Sequence, residues 1–386
     1  MPGISRFATP CILLSVVVGL SACNKHHTSP DKTPPADSAT VYVLGSSGDT
    51  AEYWKNGVAT VLTTGGAGTL SSIVAMTVSD SDVYVAGQVA TGFSSNNLQQ
   101  IHAEYWKNGV GVALPDSTGL ATASSIYVNG TDVYVAGSMF YSTPSTAVYT
   151  TPTAVYPKLG WVANYWQNGV PMQLSGQRFP GGPQDSTIDA YSEYTSGIFV
   201  AGGNVYVAGG SNEYYSGVPS SYQFARYWNQ GATTSLVGNL LDSSQGNITA
   251  RPITTGIYVS GTDVYVTGVF GGVYPNQAVL WKNGVASILG KGSANAVFVS
   301  GSDVYVAGTS LINGNYEATY WVNGQPTVLS TSTMYTTANS IFVSGSDIYV
   351  AGSDVVNDVT YATYWKNGVA THLSPHTGSA SAIYVH

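Results

Sequence analysis

The sequence predicts an all-β chain folded as a seven-bladed β-propeller with four antiparallel strands per blade. Three observations predict it. Strand and turn chemistry dominates the composition. Three short motifs each recur seven times. The two ends of the repeat region are complementary halves of one unit.

Composition comes first. Among 386 residues there are 45 Gly and 28 Tyr, and aromatics reach 12%. Charged residues are 8%, about a third of the usual share. Disorder needs high charge and few aromatics. Val, Ile, Thr, Tyr and Gly are strand and turn formers. A formal charge of −8 with only 12 basic residues argues against a nucleic-acid partner, whose phosphates require a basic patch.

The first motif, VYVAG or a close variant, starts at Val41, Val83, Val133, Val205, Val264, Val304 and Ile348. The second, (Y)W-x-N-G, has its indole at Trp54, Trp106, Trp166, Trp228, Trp281, Trp321 and Trp365, with the fourth copy slipped to Trp228-Asn229-Gln230-Gly231. The third is a short [IV]-[YF]-V run beginning at Met76 (degenerate), Ile126, Ile198, Ile257, Val297, Ile341 and Ile383. Each unit therefore reads as strand a (the IYV run), a tight Ser-Gly-Ser/Thr-Asp turn, strand b (VYVAG), a variable loop, strand c ending in Tyr-Trp, and strand d. Asn-Gly joins c to d, because both positions tolerate positive φ. Strands a and b do not alternate cleanly between polar and apolar, as expected for strands covered on both faces. Residues 41–386 divide into units of about 49 residues, and propeller repeats run from roughly 40 to 50.

The ends complete the argument. The repeat region enters on strand b at Val41 and stops on Ile383-Tyr384-Val385-His386, a strand a with no strand b after it. Pairing the two closes the seventh blade. Asp82, Asp132, Asp263, Asp303 and Asp347 precede strand b in five copies and Asn204 in a sixth, whereas Thr40 stands at the seam, where no turn is needed. A solenoid would carry polar capping repeats, and none is visible.

A residue demanded in every copy serves the repeat. The seven repeated Trp are expected to pack between blades. The repeated Asp is expected to accept from backbone N–H groups of its own turn. Lys55, Lys107, Lys282 and Lys366 are expected as solvated rim charges.

The N-terminus gives the address. Arg6 precedes an apolar run of about a dozen residues, too short to span a bilayer and fitting a secretory signal. Leu20-Ser21-Ala22-Cys23 resembles the lipobox of bacterial lipoproteins. The resemblance implies removal of residues 1–22 and lipidation of Cys23. It also implies the outer membrane, since the Asp that signals inner-membrane retention in that family is replaced by Asn24. Residues 23–38 then form a Pro-containing tether, and the propeller spans 39–386. The only other Cys, Cys11, lies in the removed segment, so no disulfide is expected. His26 and His27 on a flexible tail make no closed metal site. No metal and no cofactor is expected.

The architecture resembles WD40, Kelch and related propellers over residues 39–386, without their Trp-Asp or Gly-Gly signatures. The VYVAG and YWKNG pattern is similar to repeats of secreted bacterial propeller proteins of uncharacterised role. No functional residue carries over from that resemblance.

Function is expected on one end of the blades. The a–b and c–d turns are short and uniform. The b–c and d–a connections vary, and the long ones fall at about 88–102, 138–162, 210–224, 175–197 and 238–256. Long loops on a rigid scaffold commonly carry function. These hold Tyr141, Tyr149, Tyr156, Trp161, Tyr191, Tyr194, Tyr214 and Tyr215, with Arg178 nearby. Rigid amphipathic rings of this kind suit a glycan or a protein ligand. The expected protein is a monomeric, lipid-anchored binding or scaffold module. An alternative is a glycosidase or lyase using Asp185, Asp189, Glu193 or Glu213. Another is a purely structural envelope protein. No His-Glu-x-x-His spacing, Gly-x-Ser-x-Gly elbow or phosphate loop occurs.

Overall fold

In the computed structural model, the described residues are 39–64, 68–93, 99–116, 119–141, 149–151, 154–156, 160–174, 188–215, 222–236, 251–271, 275–330, 334–374 and 376–386. Cys23, the signal, the tether, Arg178 and Asp185 lie outside them. The fold is all-β and repetitive, with no helix among the described residues.

The strands form antiparallel meanders of four. The second sheet is Thr69–Ser79, Asp82–Phe93, Gln99–Lys107 and Val110–Ala113. The third is Ala121–Asn129, Asp132–Tyr141, Gly160–Gln167 and Val170–Gln173. The fourth is Ile188–Ala201, Asn204–Tyr215, Tyr222–Asn229 and Ala232–Ser235. Two further meanders are fused into one seven-stranded sheet, because Val285–Ser300 is strand d of one and strand a of the next. Its first half pairs with Gln277–Lys282 and its second half with Asp303–Ile312. The last sheet is Thr337–Ser344, Asp347–Val356, Val359–Lys366 and Val369–His372. The opening sheet takes Val41–Ser47, Thr50–Lys55 and Val58–Val61 from the start of the described chain. Its strand a is Gly378–Val385, with Val41 opposite Val385 and Tyr42 opposite Tyr384.

Each strand a touches the strand a of the following sheet, and Gly378–Val385 touches Thr69–Ser79. All seven repeated Trp are at most 2% exposed, as their repetition predicts. They also explain the Gly of VYVAG. A Cβ at Gly137 would lie 2.7 Å from the Trp166 ring and would collide with the Thr122 carbonyl, and Gly209 and Gly268 face their indoles in the same way.

The Asn-Gly turns adopt the expected positive φ, as at Asn108 (52°) and Gly109 (85°). The Asn side chain does more than tolerate that backbone. In six copies its Oδ1 accepts from the first N–H of strand b at 2.8–2.9 Å, as from Val83 to Asn108. Its Nδ2 donates to the turn Asp, as from Asn323 to Asp303 at 2.9 Å. The Asp side chain therefore spans from the a–b turn to the c–d turn, where its own turn was expected to hold it. The Lys charges are likewise tied down. Lys107, Lys282 and Lys366 reach Asp82, Asp263 and Asp347 at 2.7–2.8 Å. Each also lies 5.3 Å from a strand-b Tyr ring. The Lys366 ammonium is pushed up to about 12 by Asp347 and Tyr349.

Every strand a carries a bulge, an extra residue left out of the pairing with strand b. In six copies that residue is polar, and it reaches out from the strand. Ser124 shares a hydrogen bond with Thr195 at 2.7 Å, and Ser196 donates to Thr254 at 2.8 Å. Thr255, Asn295 and Asn339 donate to the Ala294, Ala338 and Ala380 carbonyls at 2.6–2.9 Å. These five bonds join consecutive sheets through their first strands. Bulges leave backbone groups unpaired, and here the freed position serves as a cross-link.

Candidate functional site

The loop-bearing end is where strand b hands over to strand c. The third sheet carries an extra ribbon there and the fourth sheet the longest a–b pairing, while the b–c hairpin of the second sheet also runs far, to Phe93 opposite Gln99. Asp132–Tyr141 and Gly160–Gln167 stay paired up to Tyr141 opposite Gly160. Beyond them, Tyr149–Thr151 and Ala154–Tyr156 form a separate ribbon with Tyr149 opposite Tyr156. Strands a and b of the fourth sheet run on to Ile188 opposite Tyr215, with Tyr191 opposite Glu213.

Several expected loop residues are therefore in strands. The segments expected as loops at 138–162, 175–197 and 238–256 shrink because Gly160, Ile188 and Arg251 already begin strands. The backbone brings Tyr149 to Tyr156, and gathers Tyr191, Glu213, Tyr214 and Tyr215 into one hairpin. The side chains of Tyr141, Tyr149, Tyr156, Asp189, Tyr191, Glu213, Tyr214 and Tyr215 lie outside the described set. Trp161 is half-buried, with its ring 5.7 Å from Phe140 at 65°.

Two expected site residues turn inward. Tyr194 crosses the backbone of Gly210, where a Cβ would sit 2.7 Å from its hydroxyl. That hydroxyl is enclosed, and burial pushes its pKa up. Glu193 is 1% exposed and accepts from the Ala163 N–H of the third sheet at 3.1 Å. Arg226, 4% exposed, donates to Ser211 at 2.7 Å in the same sheet. A buried acid and a buried base thus occupy the fourth sheet where it meets the third. Glu193 joins the third and fourth sheets through its bond to the Ala163 N–H. Its position in strand a, after a long polar run, gave no sign of that burial.

Two clusters were missed by sequence reasoning, since their members are far apart along the chain. His102 Nδ1 lies 2.8 Å from Asp116 Oδ2, with Asp116 buried. His372 Nε2 lies 3.3 Å from Asp354 Oδ2, the Ser330 hydroxyl donates to Asp354 Oδ1 at 2.8 Å, and Tyr361 stacks on the imidazole at 5.0 Å. Glu317 stands near Asp354. Its pKa is raised by burial first and by the Asp354 charge to a lesser degree, against a Thr336 hydrogen bond that lowers it. In both clusters the carboxylate already serves its His and neighbouring donors, an arrangement that orients an imidazole. No group of three or more His, Cys, Asp or Glu suited to a metal occurs among the described residues.

No protein-family model and no curated protein matches the chain. Among solved structures, it is similar to a puromycin-hydrolyzing peptidase of Mycobacterium tuberculosis, at 10% identity and a TM-score of 0.47, over 84% of this chain and 49% of that one. The chain thus spans about half the length of that peptidase. It is also similar to the β-propeller domain of the Trilobed protease from Pyrococcus furiosus, at 9% identity and a TM-score of 0.35, over 81% and 98% of the two chains. An exo-1,5-α-L-arabinanase from a bovine ruminal metagenomic library gives 10% identity and a TM-score of 0.30, over 69% and 99%.

Proposed function

We propose that the chain is a lipid-anchored envelope protein whose seven blades close into a ring and present a glycan-binding surface on the loop-bearing end. Closure is supported by the pairing of Gly378–Val385 with Val41–Ser47 and by its contact with Thr69–Ser79. The blade count is supported by the angles between rings at one repeated position. Five pairs of neighbouring strand-a rings are turned from one another by 47–54°. Rotation per blade is roughly 60° for six blades, 51° for seven and 45° for eight.

The observation that carries the binding reading is the adjacency of the third sheet's extra ribbon to the fourth sheet's long a–b hairpin. The third and fourth sheets follow one another, and both extend at the same end with tyrosines at their tips. Rigid aromatic side chains on a fixed scaffold suit sugar rings. Anchoring rests on the lipobox at Cys23, and mass spectrometry of the N-terminal peptide tests it directly.

The binding test is a glycan array probed with residues 24–386. Because Tyr141 faces Gly160 in register, residues 142–159 can be exchanged for an Asn-Gly turn without disturbing the sheet. A specific glycan bound by the parent and lost in this variant supports the reading. Unchanged binding places the site elsewhere. A blank array with folded protein moves the ligand to a protein, sought by pull-down from envelope extracts.

A further inference from the structure

Six aromatic rings occupy one repeated position, the middle residue of the [IV]-[YF]-V run. They are Tyr127, Phe199, Tyr258, Phe298, Phe342 and Tyr384. Consecutive rings lie 4.7–5.2 Å apart between centroids. Rings set edge to edge cannot approach so closely, so they lean face toward face, like the pages of a half-open book. All six are half-buried.

The seventh copy has Thr77. It pairs with Tyr84 in register, as Tyr127 pairs with Tyr134 and Tyr384 with Tyr42. Its strand touches both Gly378–Val385 and Ala121–Asn129. Thr77 therefore stands between Tyr384 and Tyr127, where the series lacks one ring. The strand-b Tyr opposite each position is present in all seven copies, so Tyr84 does not replace it. Two steps of the observed length and turn span roughly 9 Å. A planar ring between two others needs about 7 Å at van der Waals contact. Among the described residues, Tyr127 and Tyr384 each have a ring neighbour on one side only, Phe199 and Phe342, and turn the other side to Thr77.

The polar groups around this position are hydroxyls. Burial raises the pKa of both phenols, and the Tyr384 charge adds to the effect on Tyr127. They stay neutral and can donate or accept. The position lies toward the turn end, three residues before Asp80, and is separate from the loop-bearing hairpins.

We propose that Thr77, Tyr127 and Tyr384 form a slot for a single planar aromatic ring bearing a hydroxyl, that is, a small phenol-class molecule. The guest completes the series of stacked rings, and its hydroxyl meets those of the slot. This inference is independent of the glycan reading and of the anchor.

Thermal unfolding and isothermal titration of residues 24–386 with phenol test it, with cyclohexanol as the non-planar comparison. At ten times its Kd, phenol is expected to raise Tm by about 2 °C, and cyclohexanol to leave it unchanged. Thr77→Phe supplies the missing ring from the chain itself, so its Tm should rise and its response to phenol should vanish. Thr77→Ala keeps the slot and should keep the response. The proposal is overturned by no phenol binding to the parent, by equal effects of phenol and cyclohexanol, or by a phenol response that survives in Thr77→Phe. A Thr77→Phe protein that is less stable or unfolded also overturns it, since the space would then already be filled.

Discussion

The Trp106 indole N–H donates to the Thr63 carbonyl at 2.8 Å, and so fastens strand c of the second sheet to the chain just past strand d of the opening sheet. Trp166 makes the same bond to Pro115. Trp321 is equally buried, but its indole nitrogen has no hydrogen-bond partner among the described residues.

This difference sets up a paired measurement. Trp106→Phe and Trp321→Phe remove the same volume, which costs each about 1–3 kcal/mol. Only the first also removes a hydrogen bond, at about 1 kcal/mol more. Urea unfolding should place Trp106→Phe below Trp321→Phe. Equal midpoints would mean the indole bond contributes nothing net.

At the turn end, Asn323 holds three things at once: a φ of 50°, the Val304 N–H and the Asp303 carboxylate. Asn323→Gly keeps the first and loses the others. Asn323→Ala loses all three and should be the less stable, by about 1 kcal/mol for the strained backbone. Thermal melts of the two variants read this ordering directly.

Stability should depend on pH in two opposing ways. Lys and Asn partners lower the pKa of Asp82, Asp263 and Asp347. Their contribution is present above the unfolded pKa and is lost as pH falls through the folded one. These groups are exposed, so the effect is small and weakened by salt. Burial raises the pKa of Glu52 and Glu317. Their contribution is present below the unfolded pKa and is lost as pH rises through the folded one. Glu317→Gln keeps a partner for Thr336 and carries no charge. Its Tm should exceed the parent's near pH 8, and the gap should close near pH 4. A constant gap across that range would assign the effect to packing.

The bulge cross-links are testable at Asn339, whose Nδ2 reaches the Ala380 carbonyl of the chain's last strand at 2.8 Å. Asn339→Ala should cost about 1–2 kcal/mol. Hydrogen exchange should speed up in Gly378–Val385 before it does in the other first strands.

Much of the fold was legible because a repeat states each requirement several times over. Trp at seven equivalent places declares a packing residue, and Asn-Gly declares a turn. The Asp role was misread because a turn residue's partner need not be local, and here it is an Asn about 20 to 36 residues later. The bulge cross-links left a readable trace, a Ser, Thr or Asn two residues before the IYV run in six copies. What the trace meant required the register. The site was less legible. A Tyr in an insertion looks the same in sequence whether it extends a strand, as Tyr191 does, or folds inward, as Tyr194 does.

Thr40 and His386 exchange two backbone hydrogen bonds, at 2.8 and 3.0 Å. The order in which the sheets are written along the gene is therefore a convention of this sequence rather than a requirement of the architecture. A circularly permuted chain, opened at Gly345 and joined from His386 to Ala39 through a short Gly-Ser linker, should reach the same set of strand pairings. Its covalent break would fall at an ordinary turn, and the bond between first and last strands would become an ordinary hairpin.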